Sequence, residues 1–112
     1  MTAESSIDEV VAALNQPLHP AAVATAADVI RNLCASNHAN AAAHQEAYAT
    51  AGAIPALVAA GTTHLNHTGV VAVVCRAFVN LAANNDANQV CCLITGVLFL
   101  FVCLFVIISF LF

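Results

Sequence analysis

The chain has 112 residues, 62% of them hydrophobic and 7% charged, against about 45–50% apolar and about 25% charged in an ordinary soluble domain, so a plain water-soluble globule is excluded. Its only cations are Arg31 and Arg76, set against six acids for a net charge of −4. No basic surface is available to neutralise a phosphate backbone, so nucleic acid is not an expected partner, and the length allows one domain with a small core.

The apolar excess has two sources. All 25 alanines lie at or before Ala87, five of the six phenylalanines lie between Phe99 and Phe112, and the last charge is Asp86. An alanine- and asparagine-rich region, 1–90, therefore precedes an uncharged hydrophobic segment, 91–112.

The opening MTAESSIDEV has neither a basic n-region nor an apolar h-region, so it is not a secretory signal. Ser6 followed by Glu9 forms a capping box that opens a helix. Further on, Val23, Ala27, Ile30 and Leu33 or Cys34 follow helical spacing and predict the core stripe of a longer helix. The stretch NAAAHQEAYATAG predicts a helix closed by Gly52 at a C-cap. In AIPALVAAG, Pro55 sits in a tolerant first turn and Gly61 marks the end. Val71, Val74 or Cys75, Phe78 and Leu81 then form the stripe of a second long helix.

From Leu93 to Phe112 the sequence is LITGVLFLFVCLFVIISFLF, and sixteen of these twenty residues are Leu, Ile, Val or Phe. As a helix it spans about 30 Å, the thickness of a bilayer's hydrocarbon core, so a single transmembrane helix is expected. Its position predicts a tail anchor with the N-terminal region in the cytosol; flanking charges are lacking, so the positive-inside rule does not set the orientation. A lipid-anchor signal of small residues at Ala82-Ala83-Asn84, and a glycosylated Asn66-His67-Thr68 sequon, would both require a lumenal chain.

Laid on itself at an offset of 48, the chain aligns His19 with His67, Val23 with Val71, Asn32-Leu33 with Asn80-Leu81 and Ala39-Asn40 with Ala87-Asn88. A period in the forties points to a helical solenoid. The stretch AGAIPALV (51–58), followed by a long helix ending CRAFVNLAANNDANQ (75–89), resembles the armadillo repeat. The resemblance covers a partial repeat, 5–36, and a full repeat, 40–84. A third repeat begins, with Gln89 aligned to Gln45 and Gly96 to Gly52, before the hydrophobic run replaces it.

The resemblance implies a short armadillo-like right-handed superhelical helix stack, which together with the C-terminal transmembrane helix expected from the apolar run makes the fold all-α. It also implies a non-enzymatic scaffold whose third helices line a groove for a protein or an extended peptide. The groove row would include Asp28, Asn32 and Ala35 in one repeat and Arg76, Asn80 and Ala83 in the next. An asparagine there can pair with a peptide backbone, having both an acceptor and a donor, or can bond its own neighbouring helices. Asp28 and Arg76 stand where related import adaptors carry tryptophan, a departure that speaks against recognition of basic localisation signals. The two also hold equivalent places on adjacent helices, which predicts a surface ion pair contributing about 0–1 kcal/mol.

Fewer than two complete repeats are present, whereas a solenoid ordinarily needs about three to bury its core. Marginal folding, self-association, and descent as a truncated or degenerate piece of a larger armadillo protein are all open. So is a small integral membrane protein whose soluble part is regulatory. Among the five cysteines there is neither a C-x-x-C pair nor an even-numbered framework; Cys34 and Cys75 are expected in the core, and Cys91 and Cys92, next to the hydrophobic segment, are candidates for lipidation. His64 and His67 are expected to be solvent-facing loop residues rather than metal ligands. No catalytic motif or cofactor signature is present, so a non-enzyme without cofactor is expected.

Overall fold

A computed structural model of the chain describes residues 6–16 and 19–92. The described residues are helical without strands: α1 (Ile7–Leu14), α2 (Pro20–Leu33), α3 (Ala41–Thr50), α4 (Ala53–Thr63), α5 (Thr68–Ala82) and a sixth helix, α6, over 86–92. The chain is all-α. Among the described residues no helix is long and apolar enough to cross a membrane. The span expected at 93–112, and the third-repeat alignment at Gly96, lie outside the described residues.

Local chemistry sets the helix ends. Ser6 caps α1, its Oγ accepting from the Glu9 N–H at 3.2 Å, which satisfies one of the orphan donors of the first turn. Pro20 occupies the first turn of α2, where its missing N–H costs nothing. Gly52 separates α3 from α4 with φ 89°, a left-handed conformation that strains any residue carrying a Cβ. Helix α4 runs two residues past the end expected at Gly61, to Thr63. There the Thr62 hydroxyl donates back to the Val58 carbonyl at 2.8 Å, and Gly61 is buried.

Both predicted stripes are core. Val23, Ala27, Ile30, Leu33 and Cys34 on or at the end of α2, and Val71, Val74, Cys75, Phe78 and Leu81 on α5, are all buried. Helices α2 and α5 pack against each other more extensively than any other pair. The remaining core comes from Val10 and Leu14 of α1, Tyr48 of α3 and Ile54 and Leu57 of α4. Buried alanines at 26, 27, 53, 56, 60 and 77 let helix backbones approach closely, because a methyl group fills little of the space between axes that normally lie about 8–10 Å apart.

Candidate functional site

The α2/α5 contact is tied by a hydrogen bond that leaves one edge of the pair open. Asn80 on α5 donates from Nδ2 to the backbone carbonyl of Arg31 on α2 at 2.7 Å. Beside this bond lies a cleft of about 220 Å³ lined by Arg31, Cys75, Arg76, Val79 and Asn80. Arg76 is exposed and Val79 is 62% exposed, an unusual degree for an aliphatic side chain on the longest helix of the described fold. Both cations of the chain thus line one cleft, and no acid lines it.

Arg31 is held by its own helix. Its Nε and Nη2 donate to Asp28 Oδ1 at 2.9 and 2.6 Å, and Asn32 Nδ2 donates to Asp28 Oδ2 at 3.4 Å. The two partners of this i, i+3 ion pair are 36% and 45% exposed, so water screens it and it contributes about 0–1 kcal/mol. The cross-helix pair expected between Asp28 and Arg76 is replaced by this local one, because Arg31 stands one helical turn from Asp28 and needs no long side chain ordered across the interface. Among the described residues Arg76 makes no ion pair.

Of the six residues that the repeat alignment puts in the groove row, Arg76 and Asn80 line the cleft, whereas Asp28, Asn32, Ala35 and Ala83 do not. The aligned asparagines do different work: Asn80 joins α5 to α2, whereas Asn32 bonds within α2. Sequence reasoning missed Arg31 as a lining residue, although its being one of only two cations and its i, i+3 spacing from Asp28 were both legible.

A second polar cluster closes the C-terminal end of α5. Gln45 of α3, buried, donates from Nε2 to the carbonyls of Asn80 and Ala83, both at 2.8 Å. Asn88 of α6 donates from Nδ2 to the carbonyls of Leu81 at 2.8 Å and Gln45 at 3.1 Å. The Asn80, Leu81 and Ala83 carbonyls are among those that the C-terminus of α5 leaves unpaired, and the bond to the Gln45 carbonyl ties α6 to α3, so the cluster has a structural role.

The remaining polar residues are dispersed. His67 is exposed, as expected, and is also the N-cap of α5, its Nδ1 accepting from the Val70 N–H at 3.3 Å. His64 borders a smaller hollow of about 110 Å³ between the ends of α1 and α4, with Leu14, Asn15, Ala59, Ala60 and Thr63. Among the described residues no group of His, Cys, Asp and Glu could hold a metal ion. Cys34, Cys91 and Cys92 carry free thiols; Cys34 and Cys92 are buried, and Cys91 is exposed. Burial pushes the Cys34 thiol up to about 12, so it is not a nucleophile at neutral pH. Burial, and secondarily the neighbouring Cys34, also raises Tyr48.

No known protein family, curated protein or solved structure matches the chain.

Proposed function

We propose that this protein is a non-catalytic interaction scaffold with armadillo-like, right-handed stacking of its helices. Residues 93–112 hold it to a membrane as a single-pass tail anchor, with the N-terminal region in the cytosol. The α2/α5 face takes a protein or an extended peptide, and exposed Cys91 at the membrane boundary is the candidate for lipidation; its neighbour Cys92 is buried, which pushes its thiol up to about 11 and withholds it from modification. The observation that carries the reading is the cleft between α2 and α5, with exposed Arg76 and Val79 beside a helix-joining asparagine. Two features support it further: the short, short, long order of α3, α4 and α5, and the packing of the two longest described helices, α2 and α5, against each other.

The membrane arm is tested by expressing the full chain with an N-terminal reporter, then applying alkaline-carbonate extraction and protease. The expected result is retention in the pellet with a protease-accessible reporter; recovery in the soluble fraction overturns the anchor. For the scaffold arm, the full chain in detergent micelles is panned against a library of extended peptides. The selected peptides are then tested on Val79→Trp, whose indole fills the cleft. Loss of binding is expected, and unchanged binding of every selected peptide refutes the assignment of the face.

A further inference from the structure

The cleft has a chemistry more specific than a generic peptide groove. We propose that it is a recognition subsite for an acidic peptide, one that places an Asp or Glu carboxylate between Arg31 and Arg76. The proposal rests on the scaffold reading of the α2/α5 face and names its ligand class.

The chain has two cations and a net charge of −4, yet both cations line the same cleft and no acid does. Arg31 is partly neutralised by Asp28, which takes its Nε and Nη2 on one oxygen; its Nη1 is not engaged by that pair. Arg76 is exposed and has no carboxylate partner among the described residues. A planar guanidinium presents paired N–H groups that match a carboxylate bidentately, so the cleft offers one uncommitted fork and the free nitrogen of a second.

The cleft also offers complementarity beyond charge. Asn80 spends its Nδ2 on the Arg31 carbonyl, and among the described residues its Oδ1 takes no donor, leaving an acceptor for a peptide N–H. Val79, 62% exposed, supplies an apolar surface for the aliphatic stem of a side chain. Size fits the same occupant: the cleft measures about 220 Å³, below the roughly 300–1,000 Å³ of pockets that enclose a whole small ligand. It suits one side chain of a longer segment lying along the helices. An anionic lipid headgroup shares the carboxylate's charge, but a membrane surface rewards many clustered cations at about 1 kcal/mol each. With only two cations against six acids, the chain lacks such a cluster.

The test uses the full chain in zwitterionic micelles and three fluorescent peptides of equal length, alternating Ala with Glu, Gln or Lys, read by anisotropy. The Glu peptide is expected to bind about ten-fold more tightly than the Gln peptide, the gain of one charge-assisted contact, with no measurable binding of the Lys peptide. Added salt should weaken the Glu peptide alone. Arg76→Gln, on an exposed position and checked for unchanged helical circular dichroism, should bring the Glu peptide to the level of the Gln peptide, and Arg76→Lys should restore part of the difference. Equal binding of the Glu and Gln peptides, or a preference indifferent to Arg76→Gln, overturns the acidic subsite and leaves the scaffold reading standing. Failure of all three peptides, together with failure of library panning, overturns both. Displacement of the Glu peptide by micelles doped with phosphatidylserine, but not by phosphatidylcholine alone, overturns the peptide in favour of lipid.

Discussion

Single side chains in this protein show how identical residue types separate into surface and structural roles. Asn32 and Asn80 align in the repeat, but Asn80 bridges to α2 at 2.7 Å while Asn32 reaches only Asp28 on its own helix. Gln45 and Asn88, the buried polar residues among those described, spend their amides on backbone carbonyls of neighbouring helices. Removing such a donor leaves buried acceptors without partners, which costs more than the net value of the bond made. Gln45→Leu keeps much of the volume and removes both donors to the Asn80 and Ala83 carbonyls, so it should destabilise by about 1–3 kcal/mol in urea unfolding followed by circular dichroism. A loss within error of zero would mean that water takes over both carbonyls.

At the level of helices, two glycines carry opposite expectations. Gly52 has φ 89° where α3 gives way to α4, and a Cβ built there meets nothing within 4 Å. The cost of Gly52→Ala is therefore conformational alone, about 1–2 kcal/mol. Gly69 lies in the first turn of α5, and its added Cβ would rest on the His67 ring at 3.5 Å, an ordinary contact against the residue that caps the helix. Gly69→Ala should stabilise by about 0.4–1 kcal/mol, by reducing the freedom of the unfolded chain. Thermal melts of the two variants should move in opposite directions; a destabilised Gly69→Ala would show that the His67 cap does not tolerate the methyl group.

The whole molecule answers to pH through the burial of its core. In the unfolded chain the Cys34 thiol ionises near 9, whereas in the folded protein burial holds it protonated up to about 12. Between these values the native state binds the extra proton, so stability falls as pH rises. The contribution is complete below about 9 and is lost progressively up to about 12. Tyr48, also buried, acts in the same direction above its ordinary range. The contribution of this thiol to the unfolding free energy, read from urea titrations of the full chain, should therefore be flat between neutrality and about pH 9 and fall above it, by up to about 1.4 kcal/mol per pH unit. Cys34→Ala should make the alkaline fall shallower; an unaltered fall would place its origin in other groups.

The sequence by itself determined helices α1 to α5 and the faces that the two long ones bury, whereas α6, over 86–92, was not among the elements it predicted. Each long stripe is a sum of local signals, and every residue named in the two stripes is buried, because 3.6-residue periodicity must turn an apolar face inward whatever packs against it. The capping residue at Ser6 and the left-handed glycine at position 52 are equally local. What sequence could not provide was the partner of each polar group. Asn80 and Arg31 lie 49 residues apart and Gln45 and Asn88 lie 43 apart, and such pairings depend on how helices dock rather than on how they form. The cleft belongs to that second class. Arg31 and Arg76 sit on different helices with no shared motif, and only the packing of α2 on α5 sets both guanidinium-bearing positions on one cleft.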